Sequence, residues 1–239
     1  MPLPKISTPT YELELPSNGQ TIKFRPFLVR EEKLLVLALE GEDTKEISNA
    51  IKTVIKNCIV SKGIKVESLP TFDIEYLFLN IRGKSVGEKV EINIICPDDG
   101  ETTVPVSIDL DDIKVQKNEK HTNKIQLDDA LIMEMKYPSL DQFIKNNFDF
   151  SGSTSMDQSF DLIASCIDKI YNEEEVWSAS DVTKKELLEF LDQMNSSQFK
   201  KIEEFFDTMP KLSHEVKVKN PKTEVESKVV LEGLSSFFA

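Results

Sequence analysis

Cationic charge is in short supply in this chain: 29 Lys and Arg stand against 42 Asp and Glu in 239 residues, a net charge of −13. With a pI near 4.8, a nucleic-acid phosphate surface or an anionic membrane is excluded as the default partner, since both demand a positive protein face. Cysteine is nearly as scarce. Cys58, Cys96 and Cys166 lie far apart and form no C-x-x-C pair. An odd count builds no disulfide framework, so synthesis in a reducing intracellular compartment is expected. With 8 glycines, 39% hydrophobic residues and a mean hydropathy of −0.29, the chain is globular rather than low-complexity. Long apolar runs are missing too: the longest, Leu34 to Leu39, falls far short of the roughly 18 residues of a membrane helix. The start, Met1-Pro-Leu-Pro-Lys-Ile6, lacks the basic and apolar regions of a secretory signal.

What is present alternates between strand and helix patterns, over a length that at about 150 residues per domain predicts one or two domains. Tyr11, Leu13 and Leu15 alternate with Glu12 and Glu14, and Asn18-Gly19 turns the chain into Thr21–Phe27, a strong hairpin signal. Glu31–Glu40 is a run of helix formers and reads as a buried helix. A second helix, capped by Asp43 or Thr44, carries Ile47, Ala50, Ile51, Val54, Ile55, Cys58 and Ile59 at spacings of three and four. A loop, Gly63 to Pro70, precedes a third helix from Asp73 to Ile81 that ends near Gly83. Glu88–Ile95 and Thr102–Leu110 predict a second hairpin, with further short strands at Ile113–Val115, Asn123–Leu127 and Leu131–Tyr137. Together these middle strands read as one small antiparallel unit. Leu140–Phe148 predicts a short helix and Ser151–Ser155 a connector, followed by Phe160, Ile163, Ile167 and Ile170 at helical spacing. An αα-hairpin spans Thr183–Met194 and Phe199–Met209, and a third β-hairpin spans Glu215–Lys219 and Glu224–Leu231. The fold class is α+β, with antiparallel hairpins at the N-terminus, middle and C-terminus and helices between them. Its expected division is residues 1–150 and 151–239.

Candidate chemistry is thin. His121 and His214 are the only histidines, with no H-E-x-x-H, G-x-S-x-G or G-K-[ST] motif nearby, and read as ordinary surface residues. Asp98-Asp99-Gly100-Glu101 and Asp109-Leu-Asp111-Asp112 concentrate carboxylates, but without a calcium-loop spacing, so turn chemistry is the plainer reading and a metal-dependent enzyme the alternative. Cys96 lacks the partners of a four-ligand zinc site. No cofactor is expected. Asn172–Glu175 is a solvated acidic run ahead of Trp177, which reads as a partly buried anchor. The 14 Phe are more informative, for Phe205-Phe206 and Phe237-Phe238 are adjacent pairs whose rings point in different directions. Internal packing is one reading. The other makes Phe205, Phe206, Leu234, Phe237 and Phe238 partner-binding residues, the last three on a C-terminal docking peptide.

Leu3-Pro4-Lys5-Ile6-x-Thr8-Pro9-x-Tyr11-x-Leu13-x-Leu15-Pro16-Ser17-x-Gly19, with Lys23-Phe24-Arg25-Pro26-Phe27-Leu28-Val29-x-Glu31-Glu32-Lys33, resembles the opening of the baseplate hub proteins of T4-like contractile-tailed phages. Leu231-Glu232-Gly233-Leu234-x-x-Phe237-Phe238 resembles that family's ending. The resemblance implies a non-enzymatic protein that binds other tail proteins, the hub and tape-measure proteins among them, during hub assembly. It implies a place in the host cytoplasm during assembly and in the tail baseplate if retained. Two mechanisms follow from it, a retained structural subunit and a transient chaperone of an apolar partner. Arg25-Pro26-Phe27 serves either as a fold-defining corner that aims Phe27 and Leu28 into the Glu31–Glu40 helix or as a partner contact.

Overall fold

The computed structural model describes residues 6–41, 43–140, 156–233 and 236. Most of the expected helix Leu140–Phe148, the connector Ser151–Ser155, and Leu234, Phe237 and Phe238 lie outside the described residues. The fold is α+β, with hairpins at the N-terminus, middle and C-terminus and six helices among the described residues.

Strands β1 (Tyr11–Glu14) and β2 (Thr21–Phe24) pair antiparallel with Leu13 opposite Ile22. The turn closes through Gly19 N–H to the Leu15 carbonyl at 2.9 Å, with Gly19 at φ 71°, a backbone region that a side chain disfavours. Alternation puts Leu13, Leu15, Ile22 and Phe24 into the core. Helix α2 (Thr44–Cys58) buries every expected apolar position on the same core, Ile59 only partly, and Asp43 Oδ1 accepts from Glu46 N–H near its start. Helix α3 (Thr71–Val86) runs through Gly83 instead of ending there. Gly83 sits against Leu110 in a helical backbone, and the helix stops four residues later at Gly87.

Helix α1 (Val29–Glu40) forms as expected but is not buried. Among the described side chains Glu31, Leu35 and Ala38 turn toward the core, and Val29, Val36 and Leu37 are 65%, 49% and 66% exposed. The run is apolar on almost every side, yet among the described residues only its inner side has an element to cover it. The corner before it is real: Arg25 N–H bonds the Cys58 carbonyl, Phe27 N–H bonds Ser85 Oγ, and the Phe27 ring meets Phe78 of α3 at 5.7 Å. Phe27 thus packs on α3, and Leu28 is exposed.

The middle strands do not form one unit. β3 (Lys89–Ile95) and β4 (Thr103–Asp109) pair as a hairpin, but β5 (Lys114–Gln116) pairs with β10 (Lys211–Lys219), the neighbour of β11 (Glu226–Glu232). β6 (Lys124–Gln126) and β7 (Ile132–Met135) instead join β8 (Ile167–Tyr171) and β9 (Val176–Ser178) in a four-stranded sheet ordered β6-β7-β8-β9. Both ladders cross the 150/151 position. Local patterning marks a strand but not its partner, and these partners lie tens of residues away.

The expected helix over Phe160–Ile170 is likewise divided. Helix α4 ends at Cys166 (Met156–Cys166), and Ile167 and Ile170 belong to β8. Residues three apart on a regular strand face opposite sides, yet both isoleucines are buried. A register shift supplies the reason: Glu134 pairs Lys169 while Met135 pairs Ile167, so Asp168 is an extra residue that turns the strand by one side chain. The bulge reproduces a helical spacing within a strand. Helices α5 (Lys184–Asp192) and α6 (Ser196–Thr208) form the expected αα-hairpin, each opened by a capping box, Thr183 with Glu186 and Asn195 with Gln198.

Candidate partner-binding surfaces

The two Phe of α6 are not a free surface. Phe205 is 2% exposed and Phe206 is half-buried against the core of the four-stranded sheet. Phe205 lies in an aromatic column: its ring is 5.1 Å from Phe206, 5.1 Å from His121 and 5.8 Å from Tyr137, and Tyr137 meets Phe72 of α3 edge-on at 5.0 Å. The column ties α6 to α3. His121 is part of it rather than a surface residue, with Nδ1 3.0 Å from Thr208 Oγ1 and Nε2 3.0 Å from the Tyr137 hydroxyl. Burial lowers its pKa and raises that of Tyr137. The sequence signal for the column was weak, because Phe72, His121, Tyr137 and Phe205 have no common spacing.

The expected acidic clusters serve turns and joints. Asn220, fully buried at the β10–β11 turn, donates from Nδ2 to both Asp98 oxygens at 3.2 and 3.0 Å and to Asp99 Oδ2 at 2.9 Å, and Thr223 Oγ1 donates to Asp98. Asp99 also accepts from Thr102. Hydrogen bonds led by Thr223 for Asp98 and by Thr102 for Asp99 hold both carboxyls below their usual range. The acidic turn at Asp98-Asp99 thus clasps the middle hairpin to the Asn220–Thr223 turn of the C-terminal one. Asp109 Oδ1 accepts from Asp111 N–H, opening a short 3-10 turn. Among the described residues no three His, Cys, Asp or Glu side chains stand where they could share a metal ion. Burial raises the pKa of all three thiols, Cys58 and Cys166 to about 11, which suits packing more than nucleophilic chemistry.

A buried charge organises the corner before α1. Glu31 is 1% exposed, with Oε1 2.9 Å from Arg25 Nη2 and 2.7 Å from Arg30 Nε, while Oε2 accepts from Leu28 N–H at 2.9 Å. Burial by itself pushes this carboxyl up, but Arg25, Arg30 and the backbone donor outweigh it and bring the pKa down to about 2. Two expected scaffold residues, Arg25 and Glu31, thereby fix the start of α1.

Two apolar surfaces are open among the described residues. One is the outer side of α1. The other is a groove of about 280 Å³ between β9 and α5, lined by Leu131, Ile170, Trp177, Val182, Leu187 and Phe190, with Glu186 at its edge. β9 is the edge strand, so Trp177, opposite Ile170 in the ladder, extends the core face of the sheet past its last covered strand and is 41% exposed. The turns into and out of β9 add exposed Glu173, Glu174, Glu175 and Asp181. In the first of these turns Asn172 Oδ1 accepts from the N–H groups of Glu174 and Glu175. The groove is therefore apolar within and acidic around; of its lining the sequence marks Ile170 as a helix position and Trp177 as a partly buried anchor, and brings the two together in no groove.

Comparison with protein families finds one model that matches, described as T4 bacteriophage base plate protein, over residues 8–239. No curated protein and no solved structure matches the chain. The family match takes in nearly the whole chain, the open groove and the outer side of α1 included, and the protein belongs to the T4 bacteriophage base plate protein family.

Proposed function

We propose that this base plate family member is a non-enzymatic hub protein, which acts by binding other tail proteins while the baseplate hub is assembled. The groove between β9 and α5 carries the reading. A half-exposed Trp over an apolar floor is the kind of anchor that dominates protein interfaces. Its acidic surround favours an apolar side chain presented on a basic segment. Such a groove suits an assembly chaperone of the hub or tape-measure proteins, because contacts made through exposed charge weaken with salt and release readily. A chain of net charge −13 also stays soluble while it holds an apolar partner. In this reading Leu234, Phe237 and Phe238 form a second, peptide-like contact to the same assembly, and the protein works in the host cytoplasm.

A structural subunit kept in the finished baseplate is the second reading, favoured by the uncovered apolar side of α1, which a permanent neighbour would bury. Quantitative mass spectrometry of purified particles beside infected-cell lysate separates the two: a fixed small stoichiometry means a retained subunit, and abundance in lysate alone means an assembly factor. Phage carrying Trp177→Glu tests the groove. The variant chain is expected to melt as the parent does while tails fail to mature, and normal tail yield would overturn the assignment of the groove.

A further inference from the structure

Side chains three and four apart share one face of a helix. On α1 the inward face is Glu31, Leu35 and Ala38, so the line that points outward is Val29, Lys33, Val36, Leu37 and Glu40. Two of its features single out an occupant. Lys33 and Glu40 stand symmetrically about the Val36-Leu37 pair, each three residues from the nearer of the two. The exposed charged side chains of α1, Arg30, Glu32, Lys33 and Glu40, also sum to zero in a chain that carries −13. A like-charged copy is repelled from most of this molecule but not from here.

We propose that α1 is the seat of a two-fold contact with a second copy of this chain, the two helices packing antiparallel about an axis between Val36 and Leu37. That axis lays Val36 against Leu37 of the second copy and Leu37 against its Val36. It brings Lys33 beside the opposite Glu40 at both ends. Self-complementarity of this kind is what an isologous interface requires, since one patch must serve as both halves. Antiparallel packing also places each apolar pair between two ion pairs, which sets the register. A 12-residue helix is only about 18 Å long, so the patch is smaller than the roughly 800 Å² per partner of a standard interface. The dimer is correspondingly concentration-dependent. This inference stands apart from the groove at β9 and does not need it.

Sedimentation equilibrium of the full chain, from micromolar to near-millimolar concentration, reads the association directly. The parent chain is expected to pass from monomer to dimer. A monomer at every concentration overturns the proposal and assigns the face to a different protein. Leu37→Asp, at a side chain 66% exposed, should abolish the dimer with an unchanged thermal melt. Lys33→Glu and Glu40→Lys alone should each weaken the dimer by about tenfold, through like charges placed opposite one another. An equimolar mixture of those two variants should recover dimerisation, because every contact in the mixed dimer again joins Lys to Glu. If the mixture associates no better than either variant alone, the antiparallel arrangement is wrong.

Discussion

Replacing Glu31 by Gln removes one charge from a carboxylate that accepts from Arg25 twice, from Arg30 and from the Leu28 N–H, at a site 1% exposed. The Gln oxygen can keep one of these bonds, but its NH₂ then faces the Arg25 guanidinium, donor against donor. The magnitude follows from linkage. A folded pKa of about 2 against an ordinary 4.5 is a stabilisation of about 3 kcal/mol at neutral pH. Because the folded pKa is the lower one, that stabilisation is fully present above about 4.5 and is lost as pH falls toward about 2. At pH 3 roughly 1.4 kcal/mol should remain. Urea unfolding followed by far-ultraviolet circular dichroism, on the parent and Glu31→Gln at several pH values, measures the gap. It should be about 3 kcal/mol at pH 7 and shrink steadily on acidification. A gap that stays constant over the acid range would mean a packing defect and refute the electrostatic account. The double variant Arg25→Met with Glu31→Leu should recover much of the loss, since it leaves no guanidinium in the buried site unpaired.

Gly83→Ala should raise stability by about 0.5–1 kcal/mol and the melting temperature by a few degrees, because the position is helical and its Cβ would meet Leu110 at an ordinary 3.5 Å. A lower melting temperature would mean that the α3–Leu110 contact has no room to spare. Asn220→Ala should lower the urea midpoint and speed hydrogen exchange at the ends of β3, β4, β10 and β11, since Asp98 and Asp99 lose a shared donor. An unchanged midpoint would show that the clasp holds nothing. His121 has a folded pKa below its ordinary value, so the unfolded chain binds its proton more readily and stability falls as pH drops through and below about 6.5. In His121→Gln that part of the pH dependence should vanish, as thermal melts between pH 8 and pH 5 would report.

The helices and hairpins of this protein are legible in sequence because they rest on contacts a few residues apart. Asn18-Gly19 fits the first turn, the α2 stripe repeats at three and four, and Thr183 and Asn195 open helices through capping bonds to residues three positions on. The residues of the two termini also sufficed to place the chain near the T4-like baseplate proteins. Other features depend on segments far apart in the chain, and only the folded molecule decides them. β5 finds β10, β8 finds β7, and Asp168 is a bulge because of the strand beside it. Phe205 is interior because Tyr137 and His121 reach it, whereas Val36 and Leu37 are exposed because no described element covers the outer side of α1. An apolar side chain carries the same tendency to leave water at every position. Whether it becomes core or contact surface is set by what the rest of the chain brings against it, and so the candidate binding surfaces emerged from tertiary structure while the elements bearing them were written in the sequence.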